Sequence, residues 1–370
     1  MKIFIYNIKE LEEIMKFYES VPSEMDLYNM FLSKLKLKYE VVNDINECDI
    51  AFIPIDFIKL IYGYISPDKH HVLYNTYLKN YDKYSDLTPK VQPPTFGVGH
   101  KDNFIKFFWN NFVKNNINSD LKIPHFILYS YVLFEISFEP IDHNIFILSY
   151  EDEVSFFNTT TTFKIGTHDR MITVPYVLNE KPLNSFPTIT KIISCEKTRE
   201  LTFIGALYSD SSEDRPLINR VRNFILYLNS EVYIGDMSNI EQELMNTKYL
   251  FVLRGDTPTR VSFYQSLVYN IVPIIFEEEL SLYQKIFTKD IDLKESCLVL
   301  PNKDGMSDIE YSKIVDNILH EELLDPNNYF NKIKNHERLF NQINYFSDEC
   351  LPIDISMEKI KFNYSNRLVS

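Results

Sequence analysis

Glycine is scarce in this chain: 8 of 370 residues, alongside 4 cysteines and 1 tryptophan. Few glycines leave few positions where the backbone can turn left-handed or press against a ligand, so a glycine directly after a strand carries information. Cys48, Cys195, Cys297 and Cys350 are far apart and form no Cys-x-x-Cys pair. That spacing argues against a structural zinc site or a disulfide framework and fits free thiols in a reducing compartment. Positive charge is also short. Lys and Arg number 38 against 52 Asp and Glu, for a net charge of −14 and a pI near 5.1. This excludes broad binding to nucleic acid or to an anionic membrane, while leaving room for a local basic pocket around a phosphorylated small molecule. No segment reaches ~18 uninterrupted apolar residues, and the opening MKIFIYNIKELEE is too short in its apolar run for a signal peptide or membrane anchor. The expected location is therefore the cytosol. A Gly-x-Ser-x-Gly nucleophile elbow is missing. The single Asp-x-Asp, Asp290-Ile291-Asp292, follows Lys289 in a polar stretch rather than an apolar strand, so no metal site is expected there.

What is present describes a soluble globular protein, 45% hydrophobic and 24% charged, long enough for two domains with separate cores. In the first half, apolar runs of strand length at Lys2–Tyr6, Tyr39–Val42, Ile50–Ile55, Phe126–Tyr131, Ile145–Ser149 and Ile172–Val177 alternate with helical spacing at Leu11–Tyr18, Met25–Leu35, Lys69–Tyr84 and Asp102–Asn115. Such alternation predicts a mainly parallel, covered sheet. Asn179–Ser194, with Pro182 and Pro187, reads as a linker. The second half alternates again: a strand at Leu201–Leu207, a helix at Pro216–Leu228, a strand at Val232–Ile234, a helix at Ile240–Asn246, then strands Tyr249–Leu253, Ile271–Phe276 and Cys297–Leu300. Helices at Leu282–Phe287, Ser307–His320 and Asn328–Ile343 complete it. The expected organisation is a Rossmann-like domain over 1–185, a second over 186–345, and a tail over 346–370 that packs back on the first.

The stretch Phe251–Phe276, FVLRGDTPTRVSFYQSLVYNIVPIIF, is the most informative. It runs from an apolar strand through Arg254-Gly255-Asp256-Thr257-Pro258-Thr259 into a helix and a second strand. Its polar loop stands at the carboxyl end of a strand, where open α/β sheets bind ligands. Thr257 or Thr259 suits a helix cap and Pro258 a first turn. Free N–H groups there, with Arg254 and Arg260 beside them, suit a diphosphate. An ordinary capped helix gives the same pattern.

Five short motifs, in order, resemble the exostosin family of glycosyltransferases. Asn46-Glu47-Cys48-Asp49-Ile50-Ala51-Phe52-Ile53-Pro54 matches an early acidic stretch and strand ending in Phe-x-Pro. His168-Asp169-Arg170-Met171-Ile172-Thr173-Val174-Pro175 matches loosely a mid-chain strand ending in Pro. Arg199-Glu200-Leu201-Thr202-Phe203-Ile204-Gly205 matches Arg-x-Leu-x-Phe-x-Gly, with Arg220 as the arginine of the next helix. Gly255-Asp256-Thr257-Pro258-Thr259 and Val272-Pro273-Ile274-Ile275 match the last loop and strand. Two departures stand out. Ser262 replaces the family's helix arginine while arginine stands at Arg260, and Asn270-Ile271 replaces Gly-Cys. The resemblance spans roughly residues 1–290 and implies the GT-B architecture, two Rossmann-like domains facing across a cleft. It implies an inverting transfer of a sugar from a nucleotide-diphosphate donor, a UDP-sugar in most members, to a hydroxyl of a glycan, glycoprotein or glycolipid. No metal or other cofactor is implied. Many cellular members carry a Golgi anchor, absent from this sequence, so the setting implied is the cytosol or a viral factory in a host cytoplasm.

Inverting transfer needs a base for the acceptor, positive charge for the departing diphosphate, and an enclosed alignment of both substrates. For the diphosphate the candidates are Gly205, Arg220, Arg254, Gly255, Asp256, Thr257, Thr259 and Arg260. Arginine suits because its fork pairs with phosphate oxygens. Arg220 fits a solvated helix face equally well. Glu277, just past a strand end, is the candidate for ribose or sugar hydroxyls, within an acidic run that also reads as solvated. For the base the candidates are Asp169, then Asp56, then His168, each also readable as a cap or turn residue. A non-catalytic nucleotide- or glycan-binding protein that retains the fold is the alternative. An α/β enzyme acting on sugar phosphates, unrelated to glycosyl transfer, is a third reading.

Overall fold

The structure, a computed structural model, describes residues 1–9, 27–55, 109, 113–114, 116–117, 122–129, 144–150, 153–155, 162–164, 170–177, 197–205, 222–235, 237–254 and 259–369. The chain divides into two units. One comprises Met1–Asp152, Phe163–Val174 and Ser356–Ser370, the other Glu153–Thr162 and Pro175–Ile355.

The first unit holds β1 (Lys2–Ile5), β2 (Glu40–Val42), β3 (Ile50–Phe52), β4 (His125–Tyr129), β5 (Ile145–Ser149) and β8 (Met171–Thr173). The short β6 (Glu153–Ser155) and β7 (Thr162–Lys164) pair with each other in a separate two-stranded sheet. The six-stranded sheet has the order β2-β1-β3-β4-β5-β8 and every adjacent pair is parallel. Every residue of β4 and β5 is buried, as expected where both faces of a parallel sheet are covered. Helix α1 (Leu27–Lys38) turns Leu27, Tyr28, Phe31 and Leu35 inward, a stripe of helical spacing. Its Phe31 meets Phe126 edge-on at 6.0 Å, and Phe126 in turn stacks on Phe52 at 4.7 Å.

The second unit carries β9 (Arg199–Ile204), β10 (Tyr233–Gly235), β11 (Thr247–Phe251), β12 (Val272–Phe276) and β13 (Leu298–Leu300) in the order β10-β9-β11-β12-β13, again all parallel. Alternate residues feed two separate cores. Leu250, Val252 and Ile275 enter one, while Tyr249, Phe251, Leu253, Ile274 and Phe276 enter the other. Helices α2 (Ile240–Met245), α3 (Val261–Val268), α4 (Glu277–Gln284), α5 (Asp308–Leu324), α6 (Pro326–Ile333) and α7 (His336–Ile343) accompany these strands, and α8 (Leu351–Val369) ends the chain. Arg367, near the end of α8, sets its guanidinium carbon 5.7 Å from the centre of the Phe146 ring.

Three elements differ from the sequence reading. The helix expected over 216–228 is a 3-10 turn over Asn223–Tyr227, with 216–221 outside the described residues. The helix expected over Asn328–Ile343 is two. Asp325 caps α6 ahead of Pro326, and the break at Lys334-Asn335 turns His336 into the interior against the Ser296 carbonyl at 3.3 Å. Finally, α4 begins at Glu277 instead of near Leu282. The run Glu277-Glu278-Glu279 is its first turn, where carboxylates face the positive end of the helix dipole. Asn302 Oδ1 accepts the Glu278 N–H at 3.0 Å and secures that start.

Candidate functional site

A parallel sheet ordered β10-β9-β11-β12-β13 reverses direction of winding between β9 and β11. In this topology the crevice outside the carboxyl ends of those two strands is where ligands bind. The chain leaves β9 at Gly205 and leaves β11 at Val252-Leu253-Arg254.

Gly205 is tightly enclosed. A Cβ added there would lie 2.9 Å from Phe203 Cζ and 3.7 Å from Arg222 Nη1. The absent side chain thus leaves room for the Phe203 ring, with a guanidinium at ordinary contact distance beyond it. That guanidinium belongs to Arg222, which is only 6% exposed. Its Nε donates to the Arg254 carbonyl at 3.0 Å, and its carbon lies 5.7 Å from the centre of the Phe203 ring. Arg222 therefore ties the loop after β9 to the loop after β11 across the switch point. Arg254 itself is half-buried.

Thr259 is buried but does not cap α3. The cap position belongs to Arg260, in extended conformation, with no side-chain hydrogen bond to the helix. The faces of α3 thus do not decide where Arg260 points. Its backbone N–H donates to Tyr283 Oη at 2.9 Å, which fixes the approach to the helix. Gly255, Asp256, Thr257, Pro258 and Arg220 lie outside the described residues.

The acidic side of this edge is arranged differently from the expectation. Glu277 is 60% exposed at its side chain and lies 4.0 Å from the equally exposed Lys294. Glu279, two residues on, is 1% exposed, and neither of its carboxyl oxygens has a hydrogen-bond partner among the described residues. Burial pushes its carboxyl up to about 8 against the pull of the Arg254 guanidinium, with Glu278 pushing the same way as burial. Tyr311, on α5, is also buried and donates to the Pro301 carbonyl at 2.5 Å. Burial raises its phenol above the usual range, with Glu279 and Glu278 adding to the rise.

Two residues of this edge were missed from sequence. Arg222 lies in the same expected helix as Arg220, but about 200° around it, and was not singled out. Glu279 sits in a run of three identical residues. The signal that could have found Glu279 was helix phase: once α4 starts at Glu277, its third residue turns toward the sheet with Leu280 and Tyr283.

In the first unit the order β2-β1-β3-β4-β5-β8 places the equivalent switch point between β1 and β3. Tyr6 follows β1 there, and Ile53-Pro54-Ile55 follow β3. Asp56, next in the chain, lies outside the described residues, as do Asp169 and His168. Arg170, buried, leads into β8 at its amino end, the opposite end of that strand from the ligand edge. Tyr6 and His125 form a buried pair at 2.9 Å. His125 Nδ1 lies 3.1 Å from the Ile123 carbonyl, which makes Nε2 the acceptor for the Tyr6 hydroxyl. Cys48, Cys297 and Cys350 are buried. Among the described residues no group of three or more His, Cys, Asp or Glu is placed to hold a metal ion, and no helix is long and apolar enough to cross a membrane.

No known family profile matches the chain, and no curated protein matches it in sequence. Solved structures to which it is similar include Anabaena HepE in complex with UDP-glucose, at 7% identity over 99% of this chain and 100% of that one, with a TM-score of 0.40. They also include WaaG, a glycosyltransferase involved in lipopolysaccharide biosynthesis, at 8% identity over 96% and 99%, with a TM-score of 0.36. A glycosyltransferase from Rickettsia africae ESF-5 gives 11% identity over 99% of each chain and a TM-score of 0.38. Likeness at this level carries no argument about this chain's chemistry. The chain's own strand order and side chains locate the site.

Proposed function

We propose that the chain is a glycosyltransferase whose second unit binds the diphosphate of a nucleotide sugar at the carboxyl ends of β9 and β11. The observation that carries this reading is Arg222, buried beside Gly205 and bonded to the Arg254 carbonyl at the switch point. A buried guanidinium is costly without an anion or acceptors around it. Its fork and the half-buried Arg254 supply the positive charge that a departing diphosphate needs. Gly255, Thr257, Thr259 and Arg260 complete the loop in this reading, and Arg220 is a further phosphate candidate.

The exostosin-like motifs support the finer statement: inverting transfer within a GT-B architecture, a UDP-sugar donor, and an acceptor hydroxyl on a glycan, glycoprotein or glycolipid, without a metal. The base is assigned to the first unit. Asp56 has the best support of the three candidates because it follows β3 at that sheet's switch point, whereas Asp169 and His168 precede Arg170 and the amino end of β8. Glu279 replaces Glu277 as the carboxyl belonging to the donor site.

The test is a thermal-shift screen against UDP, GDP and CMP sugars with and without Mn²⁺, followed by turnover assays. A ligand at 100 times its dissociation constant adds ~2.7 kcal/mol of stability. Selective, metal-independent stabilisation by one nucleotide class supports the reading. Binding without turnover by any donor would favour the non-catalytic alternative, and no binding to the folded protein would remove the donor site.

A further inference from the structure

Tyr283 stands one residue before the end of α4 and is buried. Its ring stacks on Phe263 of α3, with centres 3.9 Å apart, and its Oη accepts the Arg260 N–H at 2.9 Å. Both contacts fall on the start of α3. Arg260 holds the cap position, and Phe263, the third residue of the helix, donates its N–H to the Arg260 carbonyl at 3.1 Å. The Arg260 side chain makes no hydrogen bond to the helix it caps, so a neighbouring helix supplies the polar hold on this start.

Helix α4 is itself fixed at both ends. Asn302 Oδ1 secures the Glu278 N–H at 3.0 Å. At the other end the Gln284 side chain donates to the Ile291 carbonyl at 2.7 Å and accepts the Leu293 N–H at 3.2 Å. Tyr283 therefore offers its hydroxyl from a fixed place. Packing alone does not call for that hydroxyl. The same core is filled elsewhere by Phe263 and Phe287, and a buried phenol is unfavourable unless its oxygen is engaged. The oxygen is engaged with the residue at which the loop after β11 enters α3.

Resting on the reading of that loop as a diphosphate site, we propose that Tyr283 is a positioning residue for Arg260: from α4 it fixes the backbone from which the guanidinium reaches a bound diphosphate. Tyr283 touches no ligand in this arrangement, and its effect is preorganisation. An arginine on a fixed backbone loses less freedom when it engages phosphate, and its fork pairs with two oxygens only from a defined place. Without the hydroxyl the Arg260 N–H loses its acceptor, and the ring on Phe263 holds the helix without holding the residue before it.

The experiment is calorimetric titration of the full chain with UDP, GDP and ADP, using the wild type, Tyr283→Phe, Arg260→Ala and the double variant. Tyr283→Phe keeps the ring and removes only the hydroxyl. It is expected to weaken binding of the nucleotide that the wild type takes by several-fold, the scale of one hydrogen bond. The same change in the Arg260→Ala background is expected to have almost no effect, because the residue through which it acts is gone. A merely structural hydroxyl would lower the melting temperature and leave this coupling at zero. Unchanged affinity in folded Tyr283→Phe, or an equal loss in both backgrounds, overturns the inference and leaves the donor-site reading standing, since nucleotide still binds. Binding of none of the three nucleotides to the folded wild type overturns both. Should Tyr283→Phe fail to fold, hydrogen exchange at the Arg260 amide of the wild type decides. Slow exchange that slows further with nucleotide is expected, and fast exchange in both states overturns the inference.

Discussion

At the amino end of the second sheet, the Lys197 ammonium is buried and donates to the carbonyls of Thr247 at 2.7 Å and Tyr269 at 3.0 Å, where β11 and β12 begin. Nearby, Thr247 bonds Thr202 at 2.9 Å and the Glu243 carbonyl at 2.7 Å, and the Tyr329 hydroxyl closes on the Asn270 carbonyl at 2.7 Å. At the carboxyl end of the same strands, the Glu279 carboxyl is buried without hydrogen-bond partners among the described residues, and the guanidinium of Arg222 is anchored to the backbone of a second arginine. One end spends its polar groups on holding strand starts together. The other leaves a carboxyl unmatched and gathers positive charge around a glycine. Unsatisfied buried groups occur at both edges, Asn270 Nδ2 and His336 Nδ1 at the amino end and the Glu279 carboxyl at the other among the described residues, so what sets the carboxyl edge apart is the pair of arginines beside a glycine.

The comparison can be broken most strongly through pH. His336, buried beside the amino end of β13, is held neutral: burial depresses its imidazole from 6.5 to about 4, and its Nδ1 has no partner among the described residues. Its contribution is intact above the unfolded value and is lost as pH falls toward the folded one, because the unfolded chain then binds the proton more readily. Stability should drop by roughly 3 kcal/mol between about pH 6.5 and about pH 4, and His336→Gln should flatten that slope in urea unfolding. Glu279 acts with the opposite sign. Its stability contribution is complete below 4.5 and is lost as pH rises through about 8.

Next in size, Lys197→Met should cost about 2–4 kcal/mol by leaving two buried carbonyls without a donor, with nucleotide affinity unchanged in a folded sample. At the other end the effects reverse. Arg254→Ala should weaken nucleotide binding by ~1.5–3 kcal/mol, with little loss of stability, as judged by calorimetry and thermal melts. The smallest effect belongs to Glu277→Gln, which removes an exposed pair at 4.0 Å and should change stability by less than about 0.5 kcal/mol.

Much of the second sheet was legible in the sequence because its strands are short apolar runs bounded by polar loops. Gly205 and Arg254 stood out for the same reason: each directly follows such a run. Strand order was not legible, since β9 and β11 pair across the intervening β10, and only that pairing makes their ends a switch point. Burial of single charged residues was also hidden. Nothing local separates Glu279 from Glu277, or Arg222 from Arg220. The distinction arises where α4 starts and where the turn over Asn223–Tyr227 packs Phe224 against Phe251 and Phe276. Thr259 is not the cap: α3 starts one residue later than expected, with Arg260 in the cap position and its N–H given to Tyr283 from the following helix.

The most direct test of the diphosphate site is calorimetric titration of nucleotide sugars into the wild type, Arg222→Ala, Arg254→Ala and Lys197→Met. The account predicts binding by the wild type, unchanged binding by Lys197→Met at reduced stability, and a loss of ~1.5–3 kcal/mol of binding for each arginine variant. Equal affinity across all four folded proteins would contradict it and place the ligand away from the carboxyl ends of β9 and β11.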